Sequence, residues 1–383
     1  SLALIFKHFV IKDHIKHNIS SILHAISQRN SLMKVHKIYS SVLGAIVTAG
    51  FGGSIGLESP IISSGAAFGS NAGRLLHLNY KSITLLLACG ASGAIAAIFS
   101  TPITAIVFAF EVLLIDLTGF SLIPLIMASV SGAFTTRLLF EEEILFEVVI
   151  SKPFINAEIP YIILFGILAG FVSYYFSTVF IYFETIFDKI KTHFNKLVLG
   201  GIILSLLIFM FPALYGEGYG TIKALIAGEA HTIYENSFIG EWKETWIAVF
   251  LFFLALLLFK VVATITTIGA GGIGGIFAPS VFTGAIFGYL FAFTFNSMNF
   301  GISLDEKNFI LVGMSSVLGG VLGAPLTGIF LIAEITRGYE LILPLLLSTV
   351  ISFITFKKLK SESIITHQLS KRGELITHHK DKA

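Results

Sequence analysis

The sequence predicts an all-α, polytopic membrane protein, a helical bundle in which several helices are broken. Three observations predict it. The first is composition: of 383 residues, 55% are hydrophobic and only 13% charged, where ordinary soluble domains carry about 25% charge. The second is a series of roughly ten apolar stretches, from 41–56 to 341–356, long enough to cross or nearly cross a bilayer. The third is that the chain repeats itself.

The same composition removes several classes of function. A net charge of +2 implies no nucleic-acid partner. The lone Cys89 cannot form an internal disulfide. The eleven histidines show no HxxxH spacing and there is no CxxC, so neither a metal nor a cofactor is expected. No nucleophile–base pair or metal spacing suggests an enzyme. Residues 1–18 read as the end of an apolar helix followed by a basic loop, so the chain is expected to begin within a membrane span. Basic residues gather near the start, in "DKIKTHFNK" (188–196) and in the C-terminal tail, whereas 141–147 and 229–244 are mostly acidic. The positive-inside rule then places both termini on the cytoplasmic side.

The repeat is specific. "GLESP" and the residues after it align with "GIFAP" and its sequel: Gly56, Pro60, Gly65 and Gly69 pair with Gly275, Pro279, Gly284 and Gly288, each at an offset of 219. "TPITAIVFAFE" (101–111) then pairs with "APLTGIFLIAE" (324–334) at an offset of 223. The predicted organisation is a first half over 1–150, a second half over 151–356 and a cytoplasmic helix and tail over 357–383.

In each half a glycine-rich turn precedes a proline in the first turn of a new helix, where its missing N–H costs nothing. Such a helix end presents free N–H groups and a partial positive charge. Two ends brought together would hold a small anion without any lysine or arginine. Half-length repeats with interrupted spans point to a transport site near the bilayer midplane. "GAGGIG" (269–274) satisfies GxGxxG, but an apolar span precedes it instead of a strand, so it is not read as a nucleotide site.

The two copies differ at Glu58, which stands opposite Phe277. Its carboxylate is therefore not needed to build the turn. Facing amides that bind an anion, it would compete with that anion, and its protonation or displacement would open the path. Glu111 and Glu334 occupy equivalent places in both halves, so a role in capping or helix contact is the expectation there.

With these residues in view, the chain resembles the CLC chloride channel and transporter family, whose motifs are written GSGIP, G(K/R)EGP and GxFxP. "GLESP", "GGIFAP", "APLTGIFLIAEIT" and "YELILPLLLSTV" carry the resemblance, in order and over nearly the whole chain. It implies a CLC-type inverted-repeat bundle, chloride as cargo, membrane lipid as surroundings and a homodimer with one pore per subunit. It also implies Glu58 as the gating glutamate, and chloride held by backbone amides of Leu57, Glu58, Ser59, Ile276, Phe277 and Ala278.

Four departures from the family pattern bear on mechanism. "KHNIS" (16–20) stands where the family has GSGIP, putting His17 at the position of the chloride-binding serine and Ser20 at that of the proline. Ile365 stands where a pore-lining tyrosine is common, so the inner site is expected to lack both hydroxyl ligands. Val112 follows Glu111 where coupled exchangers often carry an internal proton-accepting glutamate, and Leu57 replaces the basic residue of G(K/R)EGP. The expectation is channel-like or uncoupled chloride movement through a pore gated by Glu58. The alternatives are a proton-coupled Cl−/H+ antiporter in which water or His17 replaces the lost acid, and a fluoride-selective or other ion transporter on the same fold.

Overall fold

The computed structural model describes residues 18–116, 118–140, 154–235, 237, 245–298, 302–336 and 339–370. His17 lies outside them. The first half contains α1 (Asn18–Gln28), α2 (Lys37–Gly50), α3 (Glu58–Leu75), α4 (Tyr80–Phe99), α5 (Pro102–Glu111) and α6 (Gly119–Leu139). The second contains α7 (Ile159–Lys189), α8 (His193–Met210), α9 (Tyr219–Ala227), α10 (Ala230–Glu235), α11 (Trp246–Gly269) and α12 (Phe277–Ser297). It continues with α13 (Glu306–Leu322), α14 (Pro325–Ile335), α15 (Ile342–Leu359) and the short α16 (Ile364–Ser370). Among the described residues, the one pairing of extended type is an isolated antiparallel bridge between Gly56 and Gly275.

Seven of the described helical segments are long and apolar enough to cross a membrane, fewer than the roughly ten apolar stretches in the sequence. Three stretches drop out: α2 has 14 residues, α3 carries Glu58, Arg74 and several serines and glycines, and the break within 307–335 leaves α13 with 17. The stretch 84–115 divides at Ser100, which takes the left-handed conformation (φ 56°), and α5 restarts at Pro102. The stretch 307–335 divides in the same way at Gly323 (φ 74°), and α14 restarts at Pro325. Proline at the first helical position cannot continue the preceding helix but starts a new one well.

Burial separates inner from outer helices. The most apolar 18-residue window of α12 is 83% buried, against 11% for α6 and for α8, so α12 lies at the centre of the subunit and α6 and α8 at its periphery. Small residues let the central helices approach closely. A Cβ on Gly65 would collide with the carbonyl of Gly90 across the α3–α4 contact, and one on Gly284 with the carbonyl of Gly313 across α12–α13.

Repeat-related residues meet at the centre. Gly56 N–H donates to the Gly275 carbonyl (3.0 Å), and Gly275 N–H donates to that of Gly56 (2.8 Å). On either side, Ile273 N–H donates to Thr48 Oγ1 (3.0 Å) and Ser54 N–H to Thr267 Oγ1 (3.2 Å). Ser54 and Ile273, like Thr48 and Thr267, are 219 residues apart. These bonds satisfy the backbone of both turns, which buried irregular chain requires. They also fix the starts of α3 and α12 against each other.

Candidate functional site

Glu58 is the first residue of α3 and Phe277 the first of α12, with Leu57 and Ile276 as the preceding caps. The opening amides of a helix have no intrahelical acceptor, so the junction offers donors from both halves. Phe277 turns its ring away to stack on Phe99 (centroids 5.4 Å apart). Glu58 does the opposite. Its side chain is 2% exposed, and Oε2 folds back over Gly56 toward the amides of Glu58 and Ala278, in electrostatic range but outside hydrogen-bond geometry. The carboxylate of the first half thus lies against the helix start of the second. Its Oε1 accepts a hydrogen bond from the Tyr219 hydroxyl.

Tyr219 opens α9, and the turn before it supplies a second carboxylate. Gly216 and Gly218 both have positive φ (62° and 94°), a conformation glycine adopts at little cost. Between them Glu217 Oε1 accepts the Leu57 N–H at 3.0 Å. Below the turn, Lys260 of α11 is fully buried, with Nζ donating to the Gly216 carbonyl (3.0 Å) and lying 4.6 Å from the Phe282 ring centroid. Lys260 interacts electrostatically with Glu217 and with Glu58. A buried ammonium costs several kcal/mol unless paired, and these two acids offset part of that cost.

The other predicted positions line two cavities. The first, about 10 Å³, is bounded by Ile19, Ser20, Ser59, Ile276, Ile365 and Gln368 among others, room for about one water-sized occupant. It brings Ser59 of the first half and Ile276 of the second together with Ile365. The second, about 90 Å³, is lined by Glu111, Val112, Lys357, Ile365 and Thr366 among others. Ile365 is the wall between them.

Ile365 is apolar and His17 lies outside the described residues, but other hydroxyls line this cavity: Ser59, and Ser20, which donates to Gln368 Oε1 (2.8 Å). Helix α16 places Gln368 one turn beyond Ile365, so a polar group reaches the cavity from the neighbouring position. Gln368 Nε2 continues to the buried Glu184 (3.2 Å).

Glu111 and Glu334 cap helices across the repeat. Glu111 accepts from Leu326 N–H (2.9 Å), Thr327 N–H (2.7 Å) and Thr327 Oγ1 (2.7 Å) at the start of α14. Glu334 accepts from Ile103 N–H (3.0 Å), Thr104 N–H (2.7 Å) and Thr104 Oγ1 (2.6 Å) at the start of α5. Each half supplies the acid that caps the other.

Sequence reasoning did not single out Glu217, Tyr219, Lys260, Gln368 or Glu184. A signal existed for Lys260, the one charged residue in the 24-residue span α11, since an ionisable group within a span is a functional candidate by default. Glu217 carries a weaker one, a carboxylate flanked by glycines in "YGEGYG".

Comparison with known proteins identifies the family. The family model described as "Voltage gated chloride channel" matches residues 1–357. The H(+)/Cl(−) exchange transporter ClcA of Vibrio campbellii is 29% identical over 338 residues, covering 85% of this chain and 68% of the relative. Among solved structures, a slow cyanobacterial Cl−/H+ antiporter superposes with a TM-score of 0.75 at 20% identity, covering 97% of this chain and 84% of the other. A CLC-type fluoride/proton antiporter superposes with a TM-score of 0.74 at 21% identity, covering 93% and 84%. At these identities the superpositions speak to the fold, and the family match over most of the sequence decides membership. The chain belongs to the voltage gated chloride channel (CLC) family.

Proposed function

We propose that this protein moves chloride through a narrow pore at the junction of α3 and α12, with Glu58 as its gate and without coupling to protons. The family consists of channels and transporters rather than enzymes, and its members are integral, multi-pass membrane proteins, which the seven apolar helices match. The observation that carries the gating proposal is the Glu58 carboxylate, buried against the Ala278 end of the opposing half and bonded to Tyr219. A carboxylate there stands in for an anion on a path an anion would take. Val112, an apolar side chain where an internal acid would be needed, supports the uncoupled reading. On this reading the Glu217–Tyr219 side faces outward, the 90 Å³ cavity faces the cytoplasm, and two copies assemble with one pore each.

The test is Glu58→Gln in chloride flux from liposomes. Removing the charge while keeping the shape should raise flux at neutral pH and flatten its pH dependence. Unchanged flux and unchanged pH dependence would show that Glu58 is not the gate.

A second reading, a proton-coupled Cl−/H+ antiporter, is favoured by one observation. Ser20, Gln368 and Glu184 form a hydrogen-bonded series from the inner cavity to a buried carboxylate. Similar proteins named as chloride/proton and fluoride/proton antiporters fit that reading.

A further inference from the structure

The outer end of the site holds two carboxylates where the family motif, with its basic residue, would lead one to expect an attractive charge. Glu217 accepts the N–H of Leu57 at 3.0 Å, and this is one of the amides expected to hold the anion. Beside it, Glu58 is 2% exposed, with Oε2 aimed into the junction and lacking a hydrogen-bond partner. The nearby base is Lys260, whose ammonium is turned to the Gly216 carbonyl and the Phe282 ring. The cluster therefore contains two acids and one base, with the Tyr219 phenol as its neutral member.

We infer that Glu217 limits anion binding at the outer site: its carboxylate occupies the Leu57 amide that an entering anion would take, and Lys260 anchors the turn that carries it. Three features make this a built arrangement. The glycines at 216 and 218 set the turn, Lys260 anchors its backbone from below, and Phe282 packs beneath Gly218 so closely that a Cβ there would collide with the ring. An anion arriving at this end meets an amide already bonded to a carboxylate and a second carboxylate directly behind it. Entry then requires displacing Glu217 as well as moving Glu58. Glu217 acts on binding from the outer solution, whereas Glu58 acts on passage. The inference rests on the reading of the junction as an anion path, but it makes a separate prediction.

The experiment measures chloride flux against outer chloride concentration for Glu217→Gln and Glu217→Ala, each alone and combined with Glu58→Gln. Isothermal titration of chloride into the purified proteins runs alongside. Glutamine can still accept from Leu57, so it preserves the contact while removing the charge; alanine empties the amide. Deleting one negative charge a few ångströms from the site should lower the apparent KM for outer chloride about tenfold, with a maximal rate within about twofold of the parent, and tighten chloride binding similarly. The effect should persist in the Glu58→Gln background, because charge repulsion by Glu217 does not depend on Glu58. A KM and Kd unchanged in both variants would overturn the inference, even if Glu58→Gln raises flux as proposed. Lowered KM from Glu217→Gln with no response to Glu58→Gln would leave the inference standing and remove Glu58 as the gate. Loss of rate and folded yield without a change in KM or Kd would make Glu217 purely structural and also overturn it.

Discussion

Tyr219 donates its hydroxyl to the carboxylate that closes the proposed path, so it should hold Glu58 in the closed position. A hydrogen bond to a charged group contributes about 1.5–3 kcal/mol, and about 1.4 kcal/mol is tenfold in an equilibrium. Tyr219→Phe keeps the ring and removes that bond. Chloride flux should rise about tenfold at neutral pH, and the same substitution should add little once Glu58→Gln has removed the acceptor charge. A double-mutant cycle on flux checks this; full additivity would mean that Tyr219 acts elsewhere. The contrast with Glu58 shows what was legible at this scale. Glu58 could be found because its repeat partner, Phe277, has no carboxylate, a comparison available within the sequence. Tyr219 and Glu217 reach the site from 160 residues or so away, through a turn that lies outside the matched repeat segments and has no periodic pattern to mark it. Gln368 is illegible for a different reason: the family pattern marks position 365, while one helical turn carries the polar group to the same cavity from 368.

Among the elements, the short helices α5 and α14 depend on each other. Each begins with proline and lacks a side-chain cap from its own N-cap residue. The three donors at its start are taken by a glutamate from the end of the other helix. Truncating either acid leaves three donors at a part-buried helix start without their acceptor, where each unsatisfied group costs up to about 1–3 kcal/mol before water or relaxation compensates. Glu111→Ala and Glu334→Ala should therefore each destabilise the folded protein by roughly 2–4 kcal/mol, with Gln in place of Ala recovering part of the loss. Thermal unfolding in detergent checks the prediction, and a large effect from only one of the two would contradict the reciprocal arrangement. The equivalent placement of the two acids made a shared role in capping or helix contact readable in advance. Their exchange across the repeat was not, because a sequence offset says which residues are equivalent and not which ones meet. The broken helices were legible in part. Pro102 and Pro325, with Gly323 before the second, are signals for these breaks that lie inside runs read as single apolar stretches, whereas nothing in the run marks Ser100 as left-handed.

For the molecule as a whole, the question is whether anion movement carries protons with it, and the two ends of the path make opposing arguments. At the inner end Val112 borders the 90 Å³ cavity and offers no proton acceptor. Glu111 beside it is committed to the start of α14 through three hydrogen bonds, so it is poorly placed to substitute. Against this stands Glu184, buried in α7 and joined through Gln368 to Ser20 at the inner cavity. A proton reaching Glu184 along this series passes an amide, which relays protons poorly because its nitrogen and oxygen have fixed donor and acceptor roles. Uncoupled movement is therefore the expected behaviour. In liposomes under a tenfold chloride gradient, the reversal potential should approach the single-charge value of about 59 mV and stay there when a pH gradient is added. Glu184→Gln should leave that potential unchanged, since the acid would have no part in transport. A shift of the potential with the pH gradient would establish coupling in the parent, and loss of that shift in Glu184→Gln would identify the acid that carries it.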